Sequence, residues 1–301
     1  MPKEACHRAE RGRMEPIRKK GVVPGLQQNR RGELEYLTYP MLEQTGIVTH
    51  MISTRLGGVS RGMFATMNYS YMRGDEKAAV DENFRRTAQV FGTGPDAFVC
   101  SDQTHTTNVR VVSQQDRGKG VVRPKDYRDV DGLVTNVPGL ILSTFYADCV
   151  PLLFVDPVNG AIGCSHSGWR GTVAEMGRVT VETMAEEYGS RPEDLIAAIG
   201  PSICRDCYEV GKEVAEPFWE LFSQKRYAFA DPDRIVARGR ERKYRLDLWK
   251  ANEAVLLAAG LLKEHICMPD LCTCENPDYL FSHRASKGRR GNFGAFLMLR
   301  Q

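Results

Sequence analysis

Between residues 141 and 165 the chain carries three strand-length apolar runs, 141–146, 152–155 and 161–165. They are parted only by Asp148-Cys149-Val150-Pro151 and by Asp156-Pro157-Val158-Asn159-Gly160. Short β-prone runs bounded by turn residues read as buried strands, and Asn-Gly between two of them is a hairpin signal. Strands that follow one another without a helix cannot be βαβ crossovers, which argues against a doubly wound parallel sheet. Helices are nevertheless present. Val80, Phe84, Ala88 and Phe91 fall at helical spacing ahead of Gly92, and residues 168–188 place Val173, Met176, Thr180 and Met184 on one face. Residues 213–222 give a third helix. Asp247 caps a fourth, with Leu248, Val255, Leu256, Ala259 and Leu262 towards the core. Further strands are expected at 47–54, 109–112, 131–135, 195–199, 265–268 and 295–299. This mixed order gives an α+β class, with no repeat of solenoid length.

At 301 residues, 42% hydrophobic and 26% charged, the composition is that of a globular protein with a sizeable core. No apolar run approaches the roughly 18 residues that span a bilayer, and no apolar segment follows the basic start as a secretory signal requires. The net charge of +3 is unevenly placed. Residues 1–31 hold nine Lys or Arg against three Glu, so the remainder is acidic. The basic balance therefore describes an arm, residues 1–31, expected to be disordered ahead of a single domain over 32–301. Met14 is an alternative start. No nucleic-acid partner and no membrane are expected, and the nine cysteines, an odd count, suit a reducing cytoplasm.

Chemistry concentrates where strands end. Cys149 lies at a polar chain reversal, and His166 opens Ser165-His166-Ser167-Gly168-Trp169-Arg170-Gly171. Such a pair suits either a thiolate nucleophile with its base or a transition metal. His105 sits in Ser101-Asp102-Gln103-Thr104-His105-Thr106-Thr107, a polar setting unlike that of a core histidine. The helix start after His166, with Arg170 beside it, favours an anion, and Arg55-Leu56-Gly57-Gly58 offers a weaker oxyanion pattern. Cys204-x-x-Cys207 and Cys272-x-Cys274 make an irregular four-thiol set whose default reading is unligated thiols. His283 lies with Arg284, Lys287, Arg289 and Arg290 in a basic loop that suits either contact with a substrate phosphate or, more commonly, a solvated charge run.

Taken in order, Ser53-Thr54-Arg55-Leu56-Gly57-Gly58-Val59-Ser60, Gln103-Thr104-His105, Asp131-Gly132-Leu133, Ala147-Asp148-Cys149-Val150-Pro151, His166-Ser167-Gly168-Trp169-Arg170-Gly171, Ile199-Gly200-Pro201-Ser202-Ile203, Cys207-Tyr208-Glu209-Val210-Gly211 and Asp247-Leu248 resemble the YfiH family. It is also called the laccase-domain or multicopper polyphenol oxidase-like family. The matches run from about residue 47 to 299. The resemblance implies a single α+β domain layered α/β/β/α with mixed β-sheets, and a mononuclear metal site of His105, Cys149 and His166. It implies a purine nucleoside phosphorylase acting on adenosine, inosine, guanosine and methylthioadenosine, with adenosine deaminase activity. Three protein ligands leave one position open, the pattern of catalytic Zn2+, with Cu2+ as the alternative metal. Six histidines are too few for a multicopper oxidase.

On that reading Asp148, then Glu209, is the candidate proton carrier, and Arg55 and Arg170 hold inorganic phosphate. The Ser282–Gly291 loop, with Arg289-Arg290, departs from the usual pattern. Two other functions stay open. One is a metal-free cysteine hydrolase using Cys149 and His166 on amide substrates, as in peptidoglycan editing; the other is a non-enzymatic partner-binding protein using its basic arm.

Overall fold

The computed structural model describes residues 14–20, 25–239 and 243–301. Its frame is two six-stranded mixed sheets. The first contains β1 (Gln27–Arg31), β2 (Leu34–Thr38), β3 (Val48–Ser53), β4 (Phe98–Cys100), β7 (Ile141–Tyr146) and β15 (Phe293–Leu299), in the order β1-β2-β3-β15-β7-β4. The second contains β5 (Val109–Val111), β6 (Gly132–Thr135), β8 (Val150–Asp156), β9 (Ala161–Ser167), β10 (Ile196–Ile199) and β14 (Ile266–Cys267), in the order β14-β10-β8-β9-β6-β5. A small third sheet joins β11 (Glu209–Val210), β12 (Val236–Arg238) and β13 (Tyr244–Leu246).

The two-residue period of the strands explains the layers. Along β8, Leu153 and Val155 join Leu142, Ile52 and Leu297 of the first sheet in the core between the sheets. Leu152 and Phe154 point the other way, into a cluster with helices α4 (Met176–Tyr188), α5 (Lys212–Phe222) and α7 (Leu248–Ala258). A strand buried on both faces has no polar side to alternate with, and all seven β8 residues are buried. The opposite face of the first sheet packs Met51, Phe98 and Phe296 against Val80, Phe84 and Ala88 of α2 (Lys77–Val90). The layers are α/β/β/α, as expected. Short helix α1 (Pro40–Gln44) packs against β3 and β10, α3 (Trp169–Val173) lies against β9 and the helices α4, α5 and α7, and α6 (Pro232–Ile235) joins α5 and β12.

The expected helix over 168–188 is two helices. Between α3 and α4, Glu175 adopts a left-handed conformation (φ 59°). Its carboxylate accepts from the Tyr227 hydroxyl, from Arg226 (2.7 Å) and from Arg178 (3.1 Å). Tertiary contacts thus hold a backbone state that local propensity disfavours. The helix capped by Asp247, whose carboxylate accepts from the Lys250 amide at 3.0 Å, ends at Ala258, and Leu262 beyond it is exposed. Part of the segment read as a basic arm lies in the fold. Gln27–Arg31 pairs antiparallel with β2, and Arg18 bridges Leu271; residues 1–13 and 21–24 lie outside those described.

Two chain crossings position the site. Residues 147–149 pass from β7 in one sheet to β8 in the other, and residues 101–108 pass from β4 to β5. Both crossings occur at the same end of the sandwich as the C-terminus of β9, where Pro151 is paired with His166. Asp148, at φ 85°, makes one reversal, and His105, at φ 68°, makes the other.

Candidate metal centre

One carboxylate organises the centre. Asp131, fully buried just ahead of β6, accepts the backbone N–H groups of Thr104 (3.0 Å), His105 (3.1 Å) and Thr106 (3.0 Å). The Thr106 hydroxyl adds a fourth bond at 3.1 Å. A loop that wraps three consecutive amides around one anion has its backbone fixed, which accounts for the positive φ of His105. Asp131 also accepts from Nδ1 of His166 at 2.7 Å. With Nδ1 engaged by Asp131, the other side of the His166 ring is left to face Cys149, the carboxylate–histidine arrangement found behind metal ligands.

Around it the donor atoms of His105, Cys149 and His166 lie within 4.8 Å of one another. The Cys149 thiol is 3.9 Å from Nε2 of His105, and the two imidazoles meet edge-on with centroids 4.9 Å apart. Burial pushes the Cys149 thiol up, but His166 and His105 more than offset this and bring it down to about 6. Burial likewise opposes the charge on His166, yet Cys149 and Asp131 raise it to about 9. Asp131 is held down to about 2, against its burial, by His166 and the loop amides. Gly168 is required by close approach. A Cβ there would stand 2.9 Å from the His105 ring and 3.1 Å from the Cys149 sulfur.

Two imidazoles, one activated thiol and a buried orienting carboxylate fit a transition metal held by three protein ligands with a position open. The same donors form the equatorial set of single blue-copper sites, so they do not choose between zinc and copper by themselves. Among the described residues the other donor cluster is made of cysteines and a glutamate, so no histidine cluster exists for further coppers.

The three donors face a cavity of about 480 Å3, walled in part by Tyr71, Phe145, Arg73, Arg290 and Asn292. Gln103 fixes one wall by exchanging two 2.7 Å bonds with the backbone of Phe145. Arg290 is the informative residue. Burial and the neighbouring Arg73 lower its guanidinium to about 10, and its Nε is buried without a hydrogen-bond partner. Two arginines at one cavity wall make that wall electropositive.

The other nominated residues are placed differently. Arg55 donates to the carbonyls of Ala65 (2.9 Å) and Pro277 and lies over the Phe281 ring, so it ties loops together away from the cavity wall. Arg170 is exposed and stacks on Trp169 at 4.2 Å. Asp148 accepts the Thr273 hydroxyl and the Arg284 amide, both at 2.6 Å, which commits both its oxygens to the 273–284 segment. Glu209 pairs with Arg245 at 3.5 Å and does not line the cavity. Residues 1–31 contribute nothing to the cavity wall among those described. Arg290, from the basic loop read as a possible phosphate contact, does line the cavity, whereas the sequence reading gave no role to Asp131 or Arg73.

An end-on crossing between two mixed sheets, with a His-Cys-His cluster backed by a carboxylate, defines an α+β fold that carries a candidate metal centre at one end of its sandwich. The family described as multi-copper polyphenol oxidoreductase laccase matches residues 49–300, and the chain belongs to it. Purine nucleoside phosphorylase YlmD of Bacillus subtilis is 36% identical over 253 residues, 83% of this chain and 87% of its own. Adenosine deaminase RL5, from an unknown prokaryotic organism, is 34% identical over 77% of this chain and 87% of its own. The crystal structure of the hypothetical protein YfiH of Bacillus licheniformis superimposes with a TM-score of 0.82 at 31% identity, covering 90% of this chain and 97% of that one. No helix among the described residues is long and apolar enough to cross a membrane.

Proposed function

We propose that the chain is a zinc-dependent purine nucleoside phosphorylase with adenosine deaminase activity. The observation that carries this is the pairing of a three-donor metal centre with a two-arginine wall in one cavity. The names of its relatives support the substrate class. His105, Cys149 and His166 would hold the metal, which when bound supplies Lewis-acid polarisation and a lowered pKa for a water.

The residues of the chain do the rest. Arg73 and Arg290, which share one cavity wall, hold the phosphate dianion. Phe145 and Tyr71 present aromatic surface for the purine. Phosphate oxygen then attacks C1′ of the nucleoside; the C1′–N bond breaks, its electron pair leaves with the base, which takes up the proton the phosphate dianion carried, and ribose 1-phosphate forms. Asp131 keeps the His166 ring in register throughout, and Asp148 holds the reversal that delivers Cys149. Arg55 and Arg170 take no part in phosphate binding on this reading.

One observation favours a second reading. Beside His166 the Cys149 thiol is already low enough to be a thiolate at neutral pH, which is the state of a cysteine hydrolase dyad. The test is product analysis of inosine incubated with and without inorganic phosphate. Hypoxanthine and ribose 1-phosphate are expected only with phosphate, and not from His105→Ala. Release of free ribose without phosphate would remove the phosphorylase reading.

A further inference from the structure

A second cluster of soft donors lies outside the cavity. β10 runs into Ser202, which bridges Cys272 in parallel, and the Thr273 amide donates to the Ser202 carbonyl at 3.1 Å. Two short turns are thereby laid side by side. In the first, the amides of Cys207 and Tyr208 donate to the Cys204 carbonyl at 3.1 and 3.0 Å, folding Cys204-x-x-Cys207 into a hook with both sulfurs on one side. In the second, the Asn276 side chain donates to the Cys272 carbonyl at 2.9 Å, closing the turn that carries Glu275.

The sulfurs of Cys204, Cys207 and Cys272 and a carboxylate oxygen of Glu275 all lie within 4.8 Å of one another. Cys204 and Cys207 stand 3.7 and 3.8 Å from the same Glu275 oxygen. A tetrahedron with metal–sulfur bonds of about 2.3 Å has edges of about 3.8 Å. The Cys204 amide also points at the Cys272 sulfur, at 3.3 Å, the kind of N–H···S contact that supports a metal-bound thiolate. Packing of free thiols would need no carboxylate among them. Here three sulfurs, those of buried Cys204 and Cys272 and of half-buried Cys207, converge on one, and Lys19 caps the same oxygen at 2.7 Å while reaching Asp206 at 3.0 Å.

We propose that Cys204, Cys207, Cys272 and Glu275 form a closed structural site for Zn2+, separate from the His105–Cys149–His166 centre. Glu275 takes the fourth position that the sequence pattern assigned to Cys274, which is drawn towards Cys207 and Ser282 instead. Binding displaces the thiol protons to solvent and leaves four protein donors on the metal with no position open. Three thiolates and a carboxylate leave the site with excess negative charge, which Lys19 partly neutralises. The site fastens three distant segments together: the strand-like 17–19, the turn after β10, and the 272–275 turn. It also backs the first centre. Thr273, between two of the ligands, donates its hydroxyl to Asp148, the neighbour of Cys149.

The test uses the full chain, purified with a thiol reductant and no chelator, then supplied with Zn2+ and desalted. About two zinc ions per chain are expected for the native sequence, and about one for His105→Ala/His166→Ala. Cys204→Ser/Cys272→Ser should retain no more than one, but it removes buried side chains and can fail to fold. The histidine variant therefore decides. Zinc-edge X-ray absorption on it should show a sulfur-dominated shell at about 2.3 Å. A histidine variant that takes up no zinc, or one whose zinc has a nitrogen and oxygen shell, overturns the proposal. So does a Cys204–Cys272 disulfide in native protein that gives no zinc uptake after reduction.

Discussion

The two donor clusters share only the cysteine thiol as a ligand type, and they differ also in what surrounds them. His105, Cys149 and His166 sit where two chain crossings meet, so their fourth side is a cavity. Cys204, Cys207, Cys272 and Glu275 sit between two turns already bridged to each other, so their fourth side is another ligand. Openness is thus set by topology, through whether the segments that carry the donors run side by side or part from one another. The supporting groups differ in the same sense. Asp131 backs a histidine from behind and leaves its front free, whereas Lys19 lies over the second cluster and covers it.

The sharpest way to separate the two is Asp131→Asn. It removes the anion that three amides and His166 share, and a lost ligand-orienting partner costs about 10–100-fold in metal affinity. Metal titration followed by assay should show that loss at the open centre, with zinc uptake by the His105→Ala/His166→Ala background unchanged by the added Asp131→Asn. Equal loss at both clusters would break the comparison.

His50 supplies a reference, being a buried histidine with no metal role. Its Nε2 accepts the Tyr39 amide at 2.8 Å, and burial, helped by Arg300, lowers it to about 3. A depressed folded pKa gives stability that is complete above about 6.5 and is lost as pH falls towards the folded value. Urea unfolding at pH 5 should therefore show about 2 kcal/mol less from this group than at pH 7, or about thirtyfold in the unfolding equilibrium. His50→Gln should flatten that part of the profile.

Arg290→Ala should raise the KM for phosphate about tenfold or more, the value of one charge-assisted contact, with zinc content unchanged. The same substitution at Arg55 should leave the KM for phosphate within twofold, since its donors are spent on Ala65 and Pro277. The smallest effect is expected from Lys19→Met. Zinc release to a competing chelator from the closed cluster should quicken by a few-fold, as one partly exposed charge contact warrants, with release from the open centre unaltered.

The sequence shows the fold in outline and the open centre in part. The strand runs from 141 to 165 and the helices near 77–90 and 212–222 follow from local pattern, because period and punctuation are local properties. The order of strands does not. β15 lies between β3 and β7, partners far away in the chain, and no short-range signal encodes that pairing. The same limit explains the site. His105, Cys149 and His166 stand out by residue type and setting, but Asp131 acts through backbone amides 25–27 residues earlier, which no motif displays. Arg73 and Arg290 come from opposite ends of the chain to one wall. Arg55 illustrates the converse: an arginine before Gly-Gly has the look of an anion cradle, yet it binds carbonyls. Glu275 was hidden because the CxC spacing drew attention to Cys274.

Zinc content and inosine phosphorolysis should be measured on one preparation while a chelator strips metal stepwise. The expected result is a rate that falls in proportion to the zinc leaving the open centre and returns when Zn2+ is restored. Full turnover in protein stripped of zinc would contradict a metal-dependent phosphorylase and turn attention to Cys149 as a nucleophile.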